Sequence, residues 1–75
     1  MHADKELDAS GLACPMPIVK ARKAMMTLAA GEILKVTSTD SGSVDDMPAF
    51  ADQLGHTLLA TANEGGRYVF WLRKN

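Results

Sequence analysis

The sequence predicts a two-layer α/β (α+β) sandwich of order β-α-β-α-β-β, a four-stranded mixed sheet with two helices on one face. Three observations predict it. In two segments apolar residues recur at spacings of three and four, the signature of a helix face. Short runs rich in β-branched and aromatic residues separate and follow those segments. Turns containing glycine stand between them. A strand, a helix and a strand in succession join most readily as a right-handed parallel crossover. Two amphipathic helices then bury their apolar stripes against one side of the sheet.

The elements follow in order. Lys5 to Ala9 reads as a short strand, and Ser10-Gly11-Leu12-Ala13 as a turn leading to Cys14. Pro15 opens the first helix, whose apolar face is Ile18, Ala21, Met25 and Leu28, with Lys20, Lys23 and Thr27 opposite. Gly31 is expected to stop it, as glycine commonly does just past a last turn. Glu32 to Thr39 is a strand, with Lys35 among apolar neighbours, and Asp40-Ser41-Gly42-Ser43 a turn. Val44, Met47, Phe50, Ala51 and Leu54 make a second helical face. Proline suits only the first turn of a helix, so Pro48 points to Asp45 or Asp46 as N-cap; the alternative start is Ser43, with Asp46 three residues later. Gly55 ends that helix. His56 to Asn63 and Arg67 to Arg73 are two strands of a hairpin closed by Glu64-Gly65-Gly66. Tyr68, Phe70 and Leu72 share one face of the last strand; Val69 and Trp71 share the other, on the side without helices.

A chain of 75 residues is one domain, residues 1–75. With 47% hydrophobic and 23% charged residues it has enough apolar surface to fold. A net charge of −1 weighs against nucleic-acid binding, which needs clustered positive charge. Only one cysteine is present, so no disulfide forms within the chain. With His2 and His56 the only histidines, neither a metal site nor another cofactor is expected. Met1 to Ala9 is polar and has no apolar core of a signal peptide. No stretch reaches the ~18 apolar residues that span a bilayer. The expected setting is the reducing cytoplasm, where a free thiol persists, and the expected state is a monomer.

The informative stretch is Gly11-Leu12-Ala13-Cys14-Pro15-Met16-Pro17. A lone cysteine is ordinarily a small buried hydrophobe, but this one directly precedes a helix, with Pro15 at the favoured first position. Pro15 and Pro17 lack an N–H, which leaves the Met16 N–H free to point at the sulfur. The positive end of a helix favours an anion, so the position is expected to lower the thiol pKa and raise its thiolate fraction. A persulfide anion gains from the same field. By helical phase Cys14 falls on the core side, which leaves room for partial shielding, although residues at a helix cap sit outside the regular spiral, so the exposure of the thiol stays open. A dithiol cycle needs a second cysteine, and a Cys-His hydrolase needs a nearby histidine. His2 lies in the terminus, and His56, opening a strand, is read as structural.

With Leu7-Asp8, Gly11-Leu12, Cys14-Pro15-x-Pro17, Thr39-Asp40, Asp46-Met47-Pro48, Gly55-His56 and the closing strand Tyr68 to Lys74, nearly the whole chain resembles the TusA/SirA/YeeD family of small sulfur carriers. The resemblance implies a βαβαββ sandwich and a sulfurtransferase that holds sulfur as a persulfide on Cys14. It implies loading by a cysteine desulfurase or rhodanese and relay to an acceptor protein, with tRNA thiolation, molybdenum-cofactor assembly and sulfur oxidation as known destinations. The chain departs from several relatives at Ala51, where they carry a second cysteine, and at Ala13, where they often carry a basic or polar residue.

Charge supplies candidate docking residues. Lys20, Arg22 and Lys23 form a positive cluster on the first helix; Asp40, Asp45, Asp46 and Asp52 form a negative one around the second. Such charges are often only solvated faces and helix-end acids, but across an interface they set orientation and on-rate. Arg22 is favoured, because by helical phase it lies on the flank nearest the core edge, with Val19 and Met26 as candidate apolar contacts beside the sulfur. The alternative function is a regulatory or adaptor module that binds a protein through these helices without sulfur chemistry. RNA binding is a third reading, disfavoured by the balanced charge and few aromatics.

Overall fold

Residues 2–75 are described by a computed structural model, so Met1 of the polar leading stretch lies outside the described residues. The elements are β1 (Lys5–Ala9), α1 (Met16–Met26), β2 (Ile33–Ser38), α2 (Ser43–Leu54), β3 (Thr57–Glu64) and β4 (Arg67–Arg73), in the expected order. The sheet runs β1-β2-β4-β3. β1 pairs parallel with β2, Leu7 opposite Val36. β2 pairs antiparallel with β4, Val36 opposite Phe70, and β3 with β4 with an irregularity between Leu58 and Ala60. The single parallel pair is the one joined through a helix, as a crossover requires.

Strand alternation sends Leu34 and Val36 of β2, and Phe70 and Leu72 of β4, to the helix side. They meet Ala21, Ala24 and Met25 of α1 and Met47, Phe50 and Ala51 of α2, which together form the buried core. On the opposite face Val69 is also buried, and the Lys35 ammonium lies 5.8 Å from the centre of the Trp71 ring, a cation–π arrangement.

The helix limits differ from the sequence reading in instructive ways. α1 ends at Met26, short of Gly31. Thr27 closes it instead: its N–H and its hydroxyl both donate to the Ala24 carbonyl, at 3.1 and 2.7 Å, a local bond that competes with further helix. Gly31, at φ +88°, turns the chain into β2 and donates its N–H to the Lys74 carbonyl at 2.7 Å. α2 begins at Ser43, the alternative start, and neither Asp45 nor Asp46 is its N-cap; Gly42 holds that place without a side-chain cap. The Ser43 hydroxyl is buried and hydrogen-bonded to the Ser38 hydroxyl at 2.8 Å, which ties the helix start to the end of β2. Pro48 therefore lies inside the helix. Val44, whose carbonyl loses its i+4 donor to the proline, is half exposed, where water can replace that donor. Gly55 ends α2 as read, in the left-handed conformation that glycine adopts most easily, with the His56 N–H donating to the Ala51 carbonyl at 2.8 Å. His56 packs 6.2 Å from the Phe50 ring, and burial, with the Lys74 charge, holds its imidazole pKa below the ordinary range.

Leu72 is fully buried between Leu34 on β2 and Leu58 on β3. Leu72→Ala is expected to cost about 2–5 kcal/mol of stability, read as a lower urea midpoint with an unchanged slope.

Candidate functional site

The parallel pairing of β1 and β2 points both strands to the same end of the sheet, and a helix follows each. The starts of α1 and α2 are therefore neighbours, in a position where open α/β sheets commonly build their sites. A hydrogen bond from the Gly11 N–H to Thr39 Oγ1, 2.8 Å, joins the two connecting loops. Gly11 has φ +80°, a backbone conformation that a side chain would strain. Asp8 Oδ1 accepts the Ser10 N–H at 2.9 Å, and the Leu12 N–H donates to the Ala9 carbonyl at 3.3 Å, which shapes the approach to Cys14.

Cys14 stands exposed just before α1, which decides between the two possibilities its helical phase and its cap position left open. Pro15 occupies the cap position rather than the first helical one, its carbonyl accepts the Ile18 and Val19 N–H groups at 3.1 Å, and Pro17 is buried. The Met16 N–H does not serve the sulfur: it donates to the Ala13 carbonyl at 2.9 Å, closing the turn. The partner of the sulfur comes from the other helix. Cys14 Sγ donates to Oδ2 of Asp46, in the first turn of α2, at 2.8 Å.

This contact reverses the expected electrostatics. The Asp46 carboxylate accepting the S–H, then partial desolvation, then the negative charges of Asp46 and Asp40 push the Cys14 pKa above the ordinary thiol range. The end of a helix presents only about half a charge. A carboxylate in direct contact outweighs it, so the resting sulfur is a thiol. Both carboxylates converge on Gly42, where an added Cβ would lie 3.1 Å from Asp40 Oδ2 and 3.7 Å from Asp46 Oδ2.

From Cys14 a groove of about 440 Å³ runs between the helices. Ile18, Ala49, Phe50 and Leu54 supply its apolar wall, and Arg22 supplies a positive charge. Arg22 thus faces the sulfur groove as its flank position suggested. Lys20 and Lys23 do not join it: they line a separate depression with Lys5 and Leu7 beside β1. The negative cluster also divides, Asp40 and Asp46 lying at Cys14 while Asp45 and Asp52 are solvent-exposed. Val19 and Met26 are exposed and do not line the groove. The sequence reading missed the Phe50–Leu54 wall and the bond between Cys14 and Asp46. The available signal was topological, since a parallel crossover sets the acidic start of α2 beside the start of α1. Among the described residues no three His, Cys, Asp or Glu side chains are grouped to hold a metal ion, and no helix is long and apolar enough to cross a membrane.

The chain is similar to known proteins over nearly its full length. A family model described as sulfurtransferase TusA matches residues 5–74. The protein YrkI of Bacillus subtilis is 50% identical over 74 residues, covering 99% of each chain. The sulfur carrier protein TusA of Allochromatium vinosum is 47% identical over 72 residues, 96% of this chain and 95% of that one. A crystal structure of a SirA-like protein from Desulfitobacterium hafniense superposes with a TM-score of 0.81 over 92% of this chain and 95% of that one; at 24% identity it shows the shared fold.

The hydrogen bond makes a pH prediction. Iodoacetamide reacts with thiolate, so the alkylation rate should rise only as pH climbs through the raised Cys14 pKa. Asp46→Ala removes the largest cause of that rise and should move the midpoint down and speed alkylation at pH 7. An unmoved midpoint would show that the carboxylate does not hold the thiol.

Proposed function

We propose, since this chain belongs to the TusA family of sulfurtransferases and is a sulfur carrier, that Cys14 is the residue that carries the sulfur, as a persulfide. The observation behind this reading is the exposed Cys14 thiol at the mouth of the interhelical groove. A transferable sulfur atom needs a thiol with which to form a reversible S–S bond, and Cys14 is the only thiol in the chain. Gly11, Leu12, Pro15, Met16 and Pro17 build the stiff turn that presents it.

In this reading a cysteine desulfurase or rhodanese presents its own persulfide at the groove. The Cys14 sulfur attacks the outer sulfur atom, takes it over, and later yields it to an acceptor protein. The sulfur lies in the open, so the same exposed atom serves both partners in turn. The protein acts as a carrier in transit rather than turning over a small molecule. Arg22 and the apolar wall of the groove would seat a partner's loop, Asp40 and Asp46 would meet its positive charge, and Lys20 and Lys23 would orient its approach from the β1 side. The chain would work as a single-domain monomer of residues 1–75 in the cytoplasm, within a relay leading to tRNA thiolation, molybdenum-cofactor assembly or sulfur oxidation.

The direct test is an intact mass after incubating the reduced protein with a cysteine desulfurase and cysteine. A gain of about 32 Da that a thiol reductant reverses, and that Cys14→Ser abolishes without loss of fold, is expected for loading by thiol–disulfide-type exchange. No gain from a desulfurase, a rhodanese or polysulfide would overturn the assignment. Docking is tested separately. Arg22→Glu should slow loading from the protein donor by about tenfold and weaken its salt dependence, while loading from polysulfide stays unchanged. Equal losses with both donors would remove Arg22 from the docking surface.

A further inference from the structure

Asp46 stands out among the acidic residues of this chain. It heads no cap, because α2 starts without a side-chain cap hydrogen bond. The hydrogen bond its carboxylate accepts is from Cys14 Sγ, directly and at 2.8 Å, across the interface between two helices. A carboxylate in contact with a reacting thiol is positioned to receive its proton. Resting on the persulfide reading of Cys14, we propose that Asp46 is a catalytic residue of sulfur loading, which takes the Cys14 proton as the sulfur attacks and returns it to the departing thiolate of the donor.

The step balances. The resting Cys14 S–H donates to Asp46 Oδ2. As Cys14 Sγ closes on the outer sulfur of the donor's persulfide, the proton crosses that hydrogen bond to Asp46. A new S–S bond forms at Cys14 while the donor's S–S bond breaks, and the electron pair of the broken bond leaves on the donor's inner sulfur. Asp46 then passes the proton to that sulfur. One thiol and one persulfide enter, and one persulfide and one thiol leave, with no net gain or loss of electrons. The charged groups around the sulfur suit this sequence. Asp46 and Asp40 lie on the side of α2 and its preceding turn, and Arg22 lies along the groove on α1. Before loading, the two carboxylates keep the sulfur protonated and slow to react with stray electrophiles. After loading, Asp46 is again a carboxylate, and it repels a persulfide anion away from itself and into the open groove.

Asp46→Asn tests this, because the amide fills the same space but cannot take the proton. Two rates are measured on the intact protein: alkylation of Cys14 by iodoacetamide across pH, and sulfur loading from a persulfidated rhodanese, followed by intact mass. In Asp46→Asn the alkylation rate at pH 7 should rise several-fold while loading slows by about tenfold or more. Asp46→Glu, which restores a carboxylate, should recover loading at least in part. If Asp46 only held the thiol pKa up, both rates would rise in Asp46→Asn, and the proposal would be overturned. Loading that is unchanged in Asp46→Asn would overturn it too, as would equal loss of both rates in a folded variant that Asp46→Glu does not rescue. If the wild-type chain takes up no sulfur at all, the carrier reading of Cys14 fails instead, a distinct outcome.

Discussion

The parallel pairing of β1 with β2 is the feature on which everything else in this small protein depends. Two strands that run the same way must be joined by a crossover, and the crossover here is α1. Because α2 leaves β2 as α1 leaves β1, both helices begin at one end of the sheet. The loop carrying Cys14 and the loop carrying Asp40 are then neighbours, and the bond from Gly11 to Thr39 Oγ1 joins them. An antiparallel arrangement of the same segments would place the two loops at opposite ends.

At that corner two electrostatic influences of opposite sign meet. The start of α1 favours an anion on Cys14, and the start of α2 brings a carboxylate into contact with it. The contact wins, because a full charge at hydrogen-bond distance exceeds the partial charge of a helix end. For a carrier this outcome has a use. A thiolate in the open is the form that reacts with oxidants and alkylating agents, whereas a thiol held by a carboxylate is quiet until a partner supplies the right electrophile. Under the docking proposed at the groove that begins at the sulfur, reactivity would be linked to the arrival of a partner.

The groove also separates charges that lie close together in sequence. Lys20, Arg22 and Lys23 fall within four residues of one another, yet a helix turns ~100° per residue and places Arg22 towards α2 and the two lysines towards β1. Asp45 and Asp46 are adjacent, yet only Asp46 reaches the sulfur. A cluster of like charges along a helical sequence is thus a poor guide to a cluster in space.

Much of the fold was legible in the chain because its signals are local. Period-two alternation in β2, the apolar run of β4, the apolar spacing of the two helices, and Gly55 in a left-handed cap each depend on a few consecutive residues and survive into the structure. The CPxP stretch likewise marked Cys14 as a sulfur at a helix start. Helix ends were less legible at Thr27 and Ser43, where a hydroxyl bonding to nearby backbone or to another strand settled what glycine and proline positions did not. The state of the sulfur was not legible at all. Asp46 is 32 residues from Cys14 along the chain, and only the packing of two helices on one sheet brings the carboxylate to the thiol. A local sequence reports the field of its own helix; the charge that dominates arrives from the neighbouring one, so the folded arrangement alone determines that the Cys14 pKa is pushed up rather than down and which side chains surround it.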